Sequence, residues 1–264
     1  MQLQVINPGI DYMIERIMDF QKDDATDFWK APLYHFYPQL DREYALSLVF
    51  EDRKRYIGKI LRQIYIDQQA TIDEKIRQYT IHWEKYKGQI IAALSEAFGM
   101  DCTTILDDMV CNISMNPICP RFLETHSFDI FYLNSERGAL GLAIHEIIHF
   151  VWFYVWNQLF GDSYEEYEAP SLKWILSEMV VEPIMRDERL SSINPYFPKE
   201  NGGCVYPYFF TMEIESRLIL DTLADLYKTM TISEFMRESY AYCVSHEKEI
   251  RQHIHKTELE WGDS

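Results

Sequence analysis

Glycine and proline are scarce in this chain, at 10 each in 264 residues. That scarcity argues against a loop-rich or all-β architecture and predicts long regular elements, mostly helices. Positive charge is also in short supply: 25 Lys and Arg stand against 42 Asp and Glu, a net charge of −17. A surface of that sign repels phosphate backbones and anionic lipid, which argues against nucleic acid and membrane surfaces as partners. Five cysteines (Cys102, Cys111, Cys119, Cys204 and Cys243) form an odd set with no C-x-x-C pair. They read as reduced structural thiols, which predicts a cytoplasmic protein without a disulfide framework. The opening residues, Met1 to Pro8, lack the basic start, apolar stretch and small-residue cleavage site of a signal peptide. Repeats, low-complexity tracts and obvious linkers are absent as well.

Apolar material is plentiful, at 47% of the chain with 15% aromatic residues, so a sizeable core is affordable. Residues 1–100 read as helical throughout. An amphipathic segment spans Ile10 to Phe20, and an aromatic turn region surrounds Pro32 and Pro38. Two long helices then follow, about 41–68 and 71–98, the second opened by the capping-box pattern Thr71-Ile-Asp-Glu74 and closed by Gly99. Between Cys102 and Asn134 the period changes to two. Met109–Met115 and Ser127–Leu133 are expected strands, the latter offering an edge to which an extended peptide could add. Later helices are expected at about 171–189, 208–228 and 232–255, the last opened by a second capping box at Thr231–Glu234. Asn194 to Tyr206 reads as an irregular loop. The expected fold is α+β and mainly helical, with an N-terminal helical region (1–100) and a core at 101–264 forming one compact unit.

Within the run Ala139–Trp156 the only acidic or imidazole side chains are His145, Glu146 and His149, and there is no Lys or Arg. Helical spacing sets the two histidines one turn apart on one face, where two imidazoles can grip a metal ion. Glu146, beside the first of them, can reach a water activated by that ion. A chance match to this H-E-x-x-H pattern in a chain of this composition has odds on the order of a few per cent. The apolar setting lowers those odds, because three polar side chains are costly there unless paired. The run is barely long enough to span a bilayer, and the charged trio at its centre would be expensive in lipid.

A catalytic zinc site takes three protein ligands and leaves a fourth position to water. A third histidine six residues after the second is excluded, since Val155 stands there. Glu178, on the equally apolar segment Trp174–Met185, is the expected third ligand. Glu182, one turn further on, is expected to accept the N–H of a ligand imidazole and orient it. Glu165, Glu166 and Glu168 lie in an acidic stretch that reads as exposed loop, and His126 is expected to satisfy a loop carbonyl.

His145-Glu-Ile-Ile-His149 followed by Glu178-Met-Val-Val-Glu182 resembles the gluzincin branch of the zincin metallopeptidases. That family usually has Asp at the buttressing position where this chain has Glu182. The resemblance implies a zincin-like core with a Zn2+ ion in a cleft, Glu146 as general base and a peptide or protein as substrate. It also implies a Tyr or His donor to the developing oxyanion. Tyr206, Tyr208 and His246 are the candidates by position, and Tyr206 is the choice among them. A competing expectation is a zincin-like protein that binds a partner or senses metal without turnover, although an intact Glu146 argues against it. The blandest alternative is a helical structural protein holding no metal.

Overall fold

The computed structural model describes residues 3–194 and 204–262. Strand β1 (Leu3–Ile6) leads into helices α1 (Ile10–Asp19), α2 (Asp27–Phe36), α3 (Arg42–Ser47) and α4 (Phe50–Phe98). Strands β2 (Met109–Ser114), β3 (Arg121–Phe122) and β4 (Ser127–Phe131) follow, and then the long helix α5 (Glu136–Phe160). A 3-10 turn at Tyr164–Tyr167 connects to α6 (Leu172–Met185) and α7 (Glu188–Ser191). After residues 195–203 come α8 (Pro207–Phe210), a short hairpin of β5 (Glu213–Ile214) and β6 (Arg217–Leu218), α9 (Ile219–Thr229), α10 (Ile232–Ser245) and α11 (Glu247–Gly262). The architecture is mainly helical with one small mixed sheet, as the composition implied.

The sheet runs β1-β2-β4-β3; the first three strands are parallel, and β3 is antiparallel to β4. Two expectations need correcting here. Residues 1–100 are not helical throughout, because Leu3–Ile6 pairs in register with Met109–Asn112. Four residues are too few for their alternation to stand out, and the strand's partner lies more than a hundred positions away. Nor does β4 offer a free edge. β2 pairs with it on one side, and on the other Arg121 and Phe122 pair with Phe128 and Ser127 while Asp129 donates its N–H to the Pro120 carbonyl.

The two long helices expected across 41–98 are also rearranged. Asp41 caps the short α3 by accepting from the Tyr44 N–H. A single helix of 49 residues then runs without a break through position 71, a length of about 74 Å. The Thr71-to-Glu74 pattern starts no helix, because Gln68, Gln69 and Ala70 are good helix formers that stop nothing before it. Glu74 accepts instead from Arg77 and Gln78, and Ile72 is fully buried. The second capping box behaves as expected: Thr231 and Glu234 cap each other at the start of α10. The helix it opens ends at Ser245, short of the expected 255, and α11 continues beyond His246. The segment expected as one helix from 208 to 228 is instead α8, the β5–β6 hairpin and α9.

Helices α4 and α6 pack on α5, and β4 packs against it as well. Trp152, Trp156, Phe128, Phe153 and Phe235 are among the largest side chains buried there. α5 is apolar enough in length and composition to cross a membrane, with a mean hydropathy of 1.4 over its best window, yet 83% of that window is buried inside the fold. It is the core helix.

Candidate metal centre

Helix α5 begins where the sequence supplies a cap: the Ser135 hydroxyl accepts from the Gly138 N–H. It ends at Gly161, whose φ of 72° in the left-handed region suits glycine. Between those limits one helical turn brings His145 and His149 together, their Nε2 atoms 3.1 Å apart. α6 is opened in the same way by Ser171, which accepts from the Trp174 N–H. It crosses α5 so that Glu178 faces the pair, with Oε2 3.6 Å from His145 Nε2 and Oε1 3.5 Å from His149 Nε2. The sequence places these three groups on two separate apolar helices, and the fold brings them to one point.

The separations can be compared with what a metal ion requires. Tetrahedral zinc at its usual bond lengths holds neighbouring ligand atoms roughly 3.3–3.5 Å apart. The observed 3.1, 3.5 and 3.6 Å lie close to that, the last two measured to different oxygens of Glu178, so the two imidazole nitrogens and the carboxylate are spaced near what such an ion requires. Two imidazoles and a carboxylate are also the donor chemistry that suits zinc.

Glu146 is the second carboxylate at the site, buried, with its ligand atom and those of both histidines within 4.8 Å of one another. Burial raises its carboxyl to about 7, against the opposing pull of His145 and Arg121. A carboxyl in that range can both take up and give back a proton near neutrality. Burial alone would also raise Glu178, but its cationic neighbours, Arg121 and His145 above all, outweigh it and hold Glu178 well below the ordinary carboxylate range. His149 is driven down to about 3 by burial and by Arg121, so it stays neutral and available as a donor.

Sequence reasoning missed Arg121. The guanidinium on β3 donates from NH1 to Glu178 Oε1 at 2.7 Å and from NH2 to Ser177 Oγ at 3.3 Å, and it lies 5.5 Å from the centre of the Phe153 ring. The available signal was indirect: a carboxylate predicted on a wholly apolar helix needs a counter-charge, and Arg121 opens the short segment before a predicted strand. Asp129 was also overlooked, although it is the one acid inside the apolar run Ser127–Leu133. Its Oδ1 accepts from Tyr12 and Asn112, and burial lifts it to about 6.

Glu182 departs from expectation. It does not accept from a ligand imidazole: its two oxygens take the Arg186 Nε–H and the Cys204 thiol, and among the described residues the buried His149 Nδ1 has no partner. Arg186 lies one turn further on and holds the carboxylate.

Tyr206 does come to the site, lining the same cavity as His145, Glu146, Glu178 and Arg121. Burial, with Glu178 next in effect, raises its phenol well above the ordinary range, so it remains a protonated donor. Tyr208 lines that cavity too, with its hydroxyl buried and without a partner among the described residues. His246 is elsewhere, 3.5 Å from Glu249 and against the Tyr242 ring. The His126 ring packs on Phe150, and its backbone carbonyl accepts from the Val110 N–H. Of the acidic stretch, Glu166 caps its own 3-10 turn and Glu168 reaches the cavity. Pro195 to Gly203, the most irregular part of the predicted loop, lies outside the described residues.

The cavity measures about 990 Å³. One wall is α1 and α2, and α11 forms a second. Comparison of the chain with protein-family models, curated proteins and solved structures gives no match.

Proposed function

We propose that the protein is a zinc-dependent metallopeptidase with a zincin-like core, hydrolysing peptide bonds of peptide or protein substrates. One observation carries this reading: a carboxylate from a second helix turns one oxygen toward each Nε2 of a histidine pair, with a separate buried carboxylate, Glu146, beside them.

His145, His149 and Glu178 would hold the ion. Bound there, zinc would supply Lewis-acid polarisation of the peptide carbonyl and lower the pKa of water. Glu146, whose carboxyl sits at about 7, takes the proton of the attacking water and passes it to the leaving amine. Tyr206, kept protonated by its surroundings, donates to the oxygen that becomes negative. Arg121 neutralises Glu178 and stiffens it, so that the ligand carboxylate does not swing into the cavity. All five cysteines are free, which supports a reducing compartment such as the cytoplasm.

Glu146→Gln tests the reading. The variant should retain about one equivalent of zinc and lose cleavage of a quenched-peptide library that the unaltered protein cuts in zinc and not in chelator. Retained cleavage, or less than about half an equivalent of zinc in protein purified without chelator, would overturn it.

A further inference from the structure

The cavity beside the histidine pair has an unusual lining. Beside the histidines Arg121 and Glu178 satisfy each other at 2.7 Å. One wall is aromatic, with Phe28 and Trp29 from α2, Trp174 from α6, and Tyr206 and Tyr208 on either side of Pro207; Glu168 and, from α11, Arg251, His255 and Glu258 line the cavity elsewhere. These rings are not loose. Trp29 and Tyr206 meet edge to face at 5.4 Å, Tyr206 and Tyr208 stack at 5.4 Å, and Trp174 lies 6.1 Å from Tyr206. Mutual contact fixes their geometry, so little ordering remains to oppose a ligand that enters. Phe28, Trp29, Trp174 and Tyr206 are only partly buried, which leaves apolar surface facing an open space of about 990 Å³. Apolar surface concentrated in one concavity is the mark of a ligand groove.

We propose that this wall is the specificity pocket of the site and takes a bulky aromatic or branched aliphatic side chain next to the scissile bond. The inference rests on the metallopeptidase reading and names its substrate class. A charged side chain laid against these rings would lose its water, and Arg121 and Glu178, already paired with each other, offer it no new partner. A large apolar side chain would instead exchange water for ring faces. Burying an indole or isobutyl group, discounted for the ordering of the ligand, favours it over a methyl by about ten-fold or more.

Amino-acid hydroxamates separate the two readings, because their head group chelates zinc whatever side chain follows. Acetohydroxamate, with no residue side chain, and the alanine, leucine, tryptophan, lysine and glutamate hydroxamates would be titrated into the zinc-loaded protein by calorimetry. Acetohydroxamate should bind, and the tryptophan and leucine compounds should bind at least about ten-fold tighter than those of alanine, lysine and glutamate. Trp29→Ala should narrow the gap between tryptophan hydroxamate and acetohydroxamate by several-fold. Equal affinities across the series, or a preference for lysine or glutamate, would overturn the pocket while leaving the metal centre standing. Failure of acetohydroxamate and of zinc itself to bind would overturn both.

Discussion

Replacing Arg121 with methionine separates a structural ion pair from one that serves a metal centre. Arg121 and Glu178 are each more than nine-tenths buried, with their nearest atoms 2.7 Å apart. Deleting the cation leaves the buried Glu178 charge with the two histidines alone, at a cost of up to about 3–5 kcal/mol. Little else is lost: Ser177 Oγ keeps its bond to the Trp174 carbonyl, and methionine can fill the space over Phe153. In chelator the variant should therefore unfold up to about 6–15 °C below the parent protein, at the few degrees per kcal/mol expected for a chain of this size. Zinc should reverse most of this, because a dication at the histidine pair supplies the missing counter-charge. The remaining difference in zinc should be about 1–2 kcal/mol. Urea denaturation of both proteins, in chelator and in excess zinc, gives the four numbers needed. An equal loss with and without zinc would mean that the ion does not sit against Glu178, and no loss in either would mean that the pair is not desolvated.

Two further outcomes test neighbouring parts of the structure. Asp129→Asn should stabilise the protein at pH 8 by up to about 3 kcal/mol and have little effect at pH 4. The Asp129 carboxyl is raised to about 6 in the fold against about 3.9 unfolded, so the native state loses stability as pH rises through that window. Denaturant titrations at the two pH values check it, and a gain at pH 4 as large as that at pH 8 would contradict the assigned cause. Glu182→Gln should change the zinc dissociation constant by less than about two-fold in a chelator competition, since Glu182 is engaged by Arg186 and Cys204 and not by a ligand histidine. A ten-fold weakening, the scale typical of losing a group that orients a ligand histidine, would restore the expectation drawn from spacing.

The parts of the centre that were legible are those where a polar residue interrupts an apolar helix. His145, Glu146, His149 and Glu178 announce themselves because burying them bare would be costly. What a helix face looks across at is not written in its own spacing, so the partners of Glu182 and the presence of Arg121 could not be read. The same reason hides β1, whose four residues acquire meaning only beside β2. The run through position 71 was misread for a different reason. A capping-box pattern is compatible with a helix start and with a helix interior, and only a breaker upstream would have decided between them.

The pairing of Leu3–Ile6 with Met109–Asn112 also bears on how the molecule is made. The first strand leaves the ribosome about a hundred residues ahead of its partner. At ordinary rates of synthesis it waits roughly 5–20 s before β2 exists. During that interval α4, which spans the interval in sequence, can form from local contacts alone, whereas the sheet cannot. The histidine helix follows β4 and packs on it, so the groups that would grip a metal are among the later ones to reach their final neighbours. Fusing a bulky domain ahead of Leu3 would therefore burden the last closure of the sheet more than it would burden the long helix.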